Sequence, residues 1–143
     1  MWLGFGILGL VVLSWRAYHN VTEPKCENQI FLDSSSPDRT KRAVVFGRSC
    51  TSVQPFTNHA TRTGFCTQVS ILPAYSALPN RDGNVFGIDC DHDGDLGTQE
   101  VNAPLRVRWL SDRELLIRHG AHVKVHHSET EVNGVTIRYK SSS

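Results

Sequence analysis

The chain lacks the signatures from which a reaction is read. It has no nucleophile elbow, no His pair of the metalloprotease type, no phosphate-binding glycine loop and no cysteine beside an assigned base. No residue is therefore assigned as catalytic, and no enzyme activity is expected. An excess of either charge is also missing, since 15 Lys and Arg against 14 Asp and Glu leave a formal net charge of +1. That sum implies neither nucleic acid nor an acidic polymer as a partner. No sustained helical period follows residue 18, which argues against a helical body. Gly4, Gly6 and Gly9 spell G-x-G-x-x-G, but no strand precedes them and no acidic residue follows at the spacing a dinucleotide site needs.

What is present points to one small β domain. The 143 residues, 39% hydrophobic, suffice for a single modest core. Short β-branched runs lie at 43–46, 67–72, 84–88, 105–109, 114–118, 122–126 and 135–139. Turn residues separate them, most clearly Asn133-Gly134, a two-residue hairpin signal between apolar-polar alternations. In 106–110, Arg106 and Arg108 alternate with Val107 and Trp109, as on a strand with one wet and one buried face. The expected fold is all-β: an antiparallel meander, small sandwich or barrel of about seven short strands.

An N-terminal hydrophobic helix is expected ahead of that domain, over residues 1–18. The apolar run 2–15 comes before any charge. Its 14 residues would span about 21 Å as a helix, short of the roughly 30 Å hydrocarbon core unless Arg16 snorkels. No small-x-small cleavage site follows, so the expectation is an uncleaved anchor or a start codon placed too late. The partner of residues 2–18 is then the membrane, and the body is expected to be membrane-anchored, facing the periplasm or cell exterior. Residues 19–41 are polar and punctuated by Pro24, Ser34-Ser35-Ser36-Pro37 and Asp38, and read as a tether. The β domain is assigned to 42–140 and a tail to 141–143.

Cys26, Cys50, Cys66 and Cys90 form an even set behind an export segment, so disulfides are expected. Of three connectivities, the one favoured joins Cys50 to Cys66, which bracket one loop between neighbouring strands, and leaves Cys26 for Cys90.

The most pointed chemistry lies in 89–100, D-C-D-H-D-G-D-L-G-T-Q-E. Asp89, Asp91 and Asp93 supply side-chain oxygens at loop positions 1, 3 and 5, Asp95 a backbone carbonyl and Glu100 two oxygens, with Gly94 at the sharp turn. Ca²⁺ is the one cofactor this spacing suggests. The flanks read as strands rather than helices, which leaves Glu100 poorly oriented, and the alternative is an acidic solvated turn. His119, His122, His126 and His127 invite a zinc reading that strand geometry opposes. His122 and His126 would lie about 13 Å apart, too far to share one ion.

Several of these stretches together resemble a known family. Ser36-Pro37-Asp38 leading to Ala43-Val44-Val45-Phe46, then 67–73, Gly83-Asn84-Val85-Phe86, 107–110, 116–118 and 134–139, are similar to small uncharacterised bacterial exported, membrane-anchored or lipoprotein-like β-rich proteins, a domain of unknown function. The resemblance covers 36–139 and implies a location and a β fold without an activity. Residues 51–58 look inserted relative to it, Cys66 and Cys90 look like additions, and the calcium spacing is particular to this chain. The function expected is that of a membrane-tethered exported domain with a structural or protein-interaction role, with an envelope protein as partner and no nucleic acid. The alternative is a calcium-binding module.

Overall fold

The computed structural model describes residues 9, 11–15, 23–53, 59–62, 66–88, 105–121 and 123–142. They fall into two units, Met1–Lys25 with Cys50–Arg62, and Cys26–Ser49 with Thr63–Ser143. Ten strands are described: β1 Lys25–Ser35, β2 Lys41–Val53, β3 Ala60–Arg62, β4 Cys66–Pro73, β5 Phe86–Ile88, β6 Arg106–Ser111, β7 Glu114–Gly120, β8 Val125–Ser128, β9 Glu131–Val132 and β10 Val135–Ser142.

In the first unit, residues 9 and 11–15 are helical, and the other residues of the expected hydrophobic helix lie outside the described residues. Among the described residues no helix is long and apolar enough to cross a membrane. The end of β2 pairs antiparallel with β3, Ser52 facing Thr61, and their hydroxyls are 2.8 Å apart.

The second unit holds the core. Sheet A runs β1-β2-β4-β5-β8, with β3 paired to β2, and sheet B runs β6-β7-β10-β9. Ala43 and Val45 of β2, Val69 and Ile71 of β4, Val85 and Phe86 from sheet A meet Leu115, Ile117, Val135 and Ile137 from sheet B in one buried cluster. Val44, Phe46 and Leu72 pack on the other face of sheet A with Leu78 from the following loop. The middle of β2 is therefore buried on both faces, which is why 43–46 reads as an unbroken apolar run rather than an alternation.

Two expectations are corrected here. Lys25–Ser35, read as part of a tether, forms the 11-residue strand β1. Ser36-Pro37-Asp38 is accordingly the turn of the β1–β2 hairpin: the Asp38 carboxylate accepts from the Ser36 hydroxyl at 2.6 Å and the Thr40 amide at 3.0 Å, and Arg39 takes φ 58°. The all-β expectation holds, and of its three alternatives the antiparallel meander is the one set aside. β10 pairs parallel with β7, Tyr139 opposite Ile117, so the fold is two sheets on a shared core, one of them mixed. Hairpin chemistry draws β9 and β10 together locally, but that parallel pairing is set by the apolar faces of β7 and β10, which no local signal announces.

Asn133 and Gly134 have φ of 52° and 75°, the left-handed pair a two-residue hairpin turn requires. Gly83 has a different reason. A Cβ there would lie 2.7 Å from the Val69 carbonyl oxygen, so only glycine lets the chain pass sheet A at that point.

Candidate functional site

The outer face of sheet B concentrates positive charge. Along β6 the exposed residues are Arg106 and Arg108, with Val107 and Trp109 turned towards the core. On β7, Leu115 and Ile117 are buried, which turns Glu114, Leu116 and Arg118 outward; on β10, Val135 and Ile137 are buried and Thr136, Arg138 and Lys140 face out. Strand register then builds a grid. Arg118 stands opposite Arg106 on one side and Lys140 on the other; Leu116 stands opposite Arg108 and Arg138. Five cations thus surround one leucine.

Glu114 pairs with Arg138 at one end of this grid. Arg106, Arg108, Arg118 and Lys140 meet no carboxylate among the described residues. Like charges directly opposite one another on neighbouring strands destabilise a sheet, and this face contains two such pairs. Arg106, Arg108, Arg118, Leu116 and Val107 line a depression of about 310 Å³. What the arrangement can do chemically is hold an anion: guanidinium groups present forked donors that match the oxygens of an oxyanion two at a time.

Another arginine, away from this face, has a different use. Arg48, with only 12% of its side chain exposed, donates to Asn28 at 2.9 Å and Asn80 at 2.7 Å, and its Nε lies 3.2 Å from Asp82. Asn80 in turn donates to the Cys26 carbonyl at 3.0 Å, and Asn28 to the Pro79 carbonyl at 3.1 Å. These contacts, made through Nη1 and Nε, fasten the loop after β4 to β1 and β2, so Arg48 has a structural task.

The residues singled out from sequence are placed unevenly. Asp89, Asp91, Asp93, Asp95, Glu100 and Cys90 lie outside the described residues, and so does His122. Among the described residues no group of three or more His, Cys, Asp or Glu is arranged to hold a metal. His119 is not a surface ligand; its ring stacks on Phe86 with centroids 5.5 Å apart, and its Nδ1 is 2.9 Å from the Gly120 carbonyl. His127 lies 3.5 Å from Glu129.

The cysteine pairing is corrected. Cys26 is bonded to Cys50, not Cys50 to Cys66. Cys66 is also disulfide-bonded. The reason is β1: once 25–35 is a strand beside β2, Cys26 lies on the neighbour of the strand carrying Cys50, whereas the register of β2 with β4 sets Cys66 opposite Arg48.

Sequence reasoning found Arg106 and Arg108 as one wet face but missed the grid. The available signal was the alternation in 135–140, where every second residue is apolar; 115–117 is an unbroken apolar run, and only the pairing of β7 with β10 makes their outward residues neighbours.

No family model matches the chain, and no curated protein or solved structure does.

Proposed function

We propose that this chain is a membrane-tethered, exported β domain with a structural or protein-interaction role, which presents the outer face of sheet B to its partner. The single observation that carries the reading is that face, where Arg106, Arg108, Arg118 and Lys140 stand together without a carboxylate among the described residues. A stability-driven surface intersperses its charges, whereas a docking surface collects one sign and leaves the complement to the partner. Location is supported by the apolar run 2–15, by the disulfides that an oxidising compartment permits, and by the resemblance of 36–139 to exported β-rich proteins.

The reading is tested in the native host with a photo-crosslinking residue at position 108 and, as control, at position 75, where Tyr75 is fully exposed. One discrete envelope product from position 108 and none from 75 is expected. No product from 108, or the same product from both, overturns the assignment of the face.

A second reading, a calcium-binding module, is favoured by the spacing of Asp89, Asp91, Asp93, Gly94 and Glu100. Calcium should then raise the melting temperature of the chain, and Asp91→Ala or Asp93→Ala should abolish that rise. Equal melting in calcium and in chelator removes this reading.

A further inference from the structure

The geometry points to a site for a soluble, multiply charged phosphate-type oxyanion in the depression bounded by Arg106, Arg108 and Arg118. The inference rests on the reading of sheet B as a binding face and names what that face takes.

Three features choose this ligand over other anions. The depression is concave and has Leu116 in its lining beside the three arginines, so it receives one compact group and not a flat anionic lamella. Three guanidinium groups line it, each with five N–H donors. A carboxylate, with two oxygens, saturates one fork, whereas a tetrahedral phosphate with three terminal oxygens accepts from several forks at once. The row Arg106, Arg118, Lys140 crosses three strands, about 10 Å from end to end at the usual strand spacing, so a ligand with more than one charged group spans it.

The face is also built at a cost that such a ligand removes. Arg118 lies between two cations in register, and an anion seated there screens both repulsions. Charge removal at position 118 should accordingly have opposite effects on the unliganded and liganded protein, which a purely structural arginine would not show.

The test uses the full-length oxidised chain in a nonionic detergent, with tripolyphosphate as the probe and chloride at matched ionic strength as reference. Calorimetric titration is expected to show saturable binding of tripolyphosphate. Arg118→Gln and Arg108→Gln should each weaken it by on the order of tenfold to a hundredfold, the loss of a charge-assisted contact. Arg81→Gln, in the loop before β5, should leave it unchanged. Without the probe, Arg118→Gln should melt no lower than the parent chain at low salt. If tripolyphosphate does no more than chloride, or Arg81→Gln weakens it equally, the site is overturned. A poly-glutamate that binds through Arg118 while tripolyphosphate does not overturns the ligand and leaves the reading of sheet B as a docking face standing. Anionic phosphatidylglycerol added to the micelles, if it alone gives an Arg118-dependent rise in melting temperature, overturns the soluble source in favour of a lipid headgroup.

Discussion

Trp109 donates its indole N–H to the Ser34 carbonyl at 2.9 Å, joining residues 75 apart in sequence. The bond fastens β6 of sheet B to the end of β1 of sheet A, beside the hairpin turn where the Asp38 amide donates to Asp112 at 2.7 Å. One strand that reads as a linker is thereby held from two sides.

Replacing Trp109 with Phe should cost about 1 to 2 kcal/mol, since the Ser34 carbonyl loses its donor while most of the apolar contact is kept. Chemical denaturation under oxidising conditions checks it: the midpoint falls and the slope is unchanged. An unaltered midpoint would mean that water replaces the indole without loss.

Joining Cys26 to Cys50 restricts the unfolded chain over the whole β1–β2 hairpin. By the loop-entropy relation, replacing both with Ser should cost about 3 to 4 kcal/mol. Tryptic digestion without reduction should release peptide 26–39 linked to 49–62. A link between 49–62 and 63–81 would contradict the structure.

The Asp38 carboxyl is held at about 2, below its ordinary 3.8, first by the Ser36 hydroxyl and then by the Thr40 amide. Because the folded value is the lower one, the stabilisation is present above about 3.8 and is lost as pH falls towards 2. Asp38→Asn should therefore flatten the acid limb of the stability curve between those values. The same acid limb in parent and variant would show that another carboxyl governs it.

The Tyr139 phenol is pushed up to about 12 by burial, and donates to the Glu129 carbonyl at 2.6 Å. The unfolded chain ionises near 10 while the folded one keeps its proton, so stability falls as pH rises from about 10 to 12. Absorbance at the phenolate band should show a late-titrating step from Tyr139. Tyr139→Phe should remove that late step and cost about 1 kcal/mol.

Legibility followed locality. The run 67–72 falls inside β4, and Asn133-Gly134 turns as its chemistry demands, because both depend on residues adjacent in the chain. β1 was illegible for a physical reason. It ends the order of sheet A and is exposed along most of its length, so Glu27, Asn28, Gln29 and the serines at its end carry no alternation to distinguish a strand from a linker. Missing β1 then misled the cysteine pairing, since Cys26 had no strand on which to be placed.

Composition and local pattern determined that this chain builds strands, turns the last pair of them with Asn-Gly, and carries an even set of cysteines. Tertiary structure decided which cysteines meet and where charge collects. A net charge of +1 is a sum over the chain and holds no information on separation. Register alone brings Arg106, Arg118 and Lys140 into one row, because hydrogen-bonded strands place residues side by side that the chain keeps 12 to 34 positions apart.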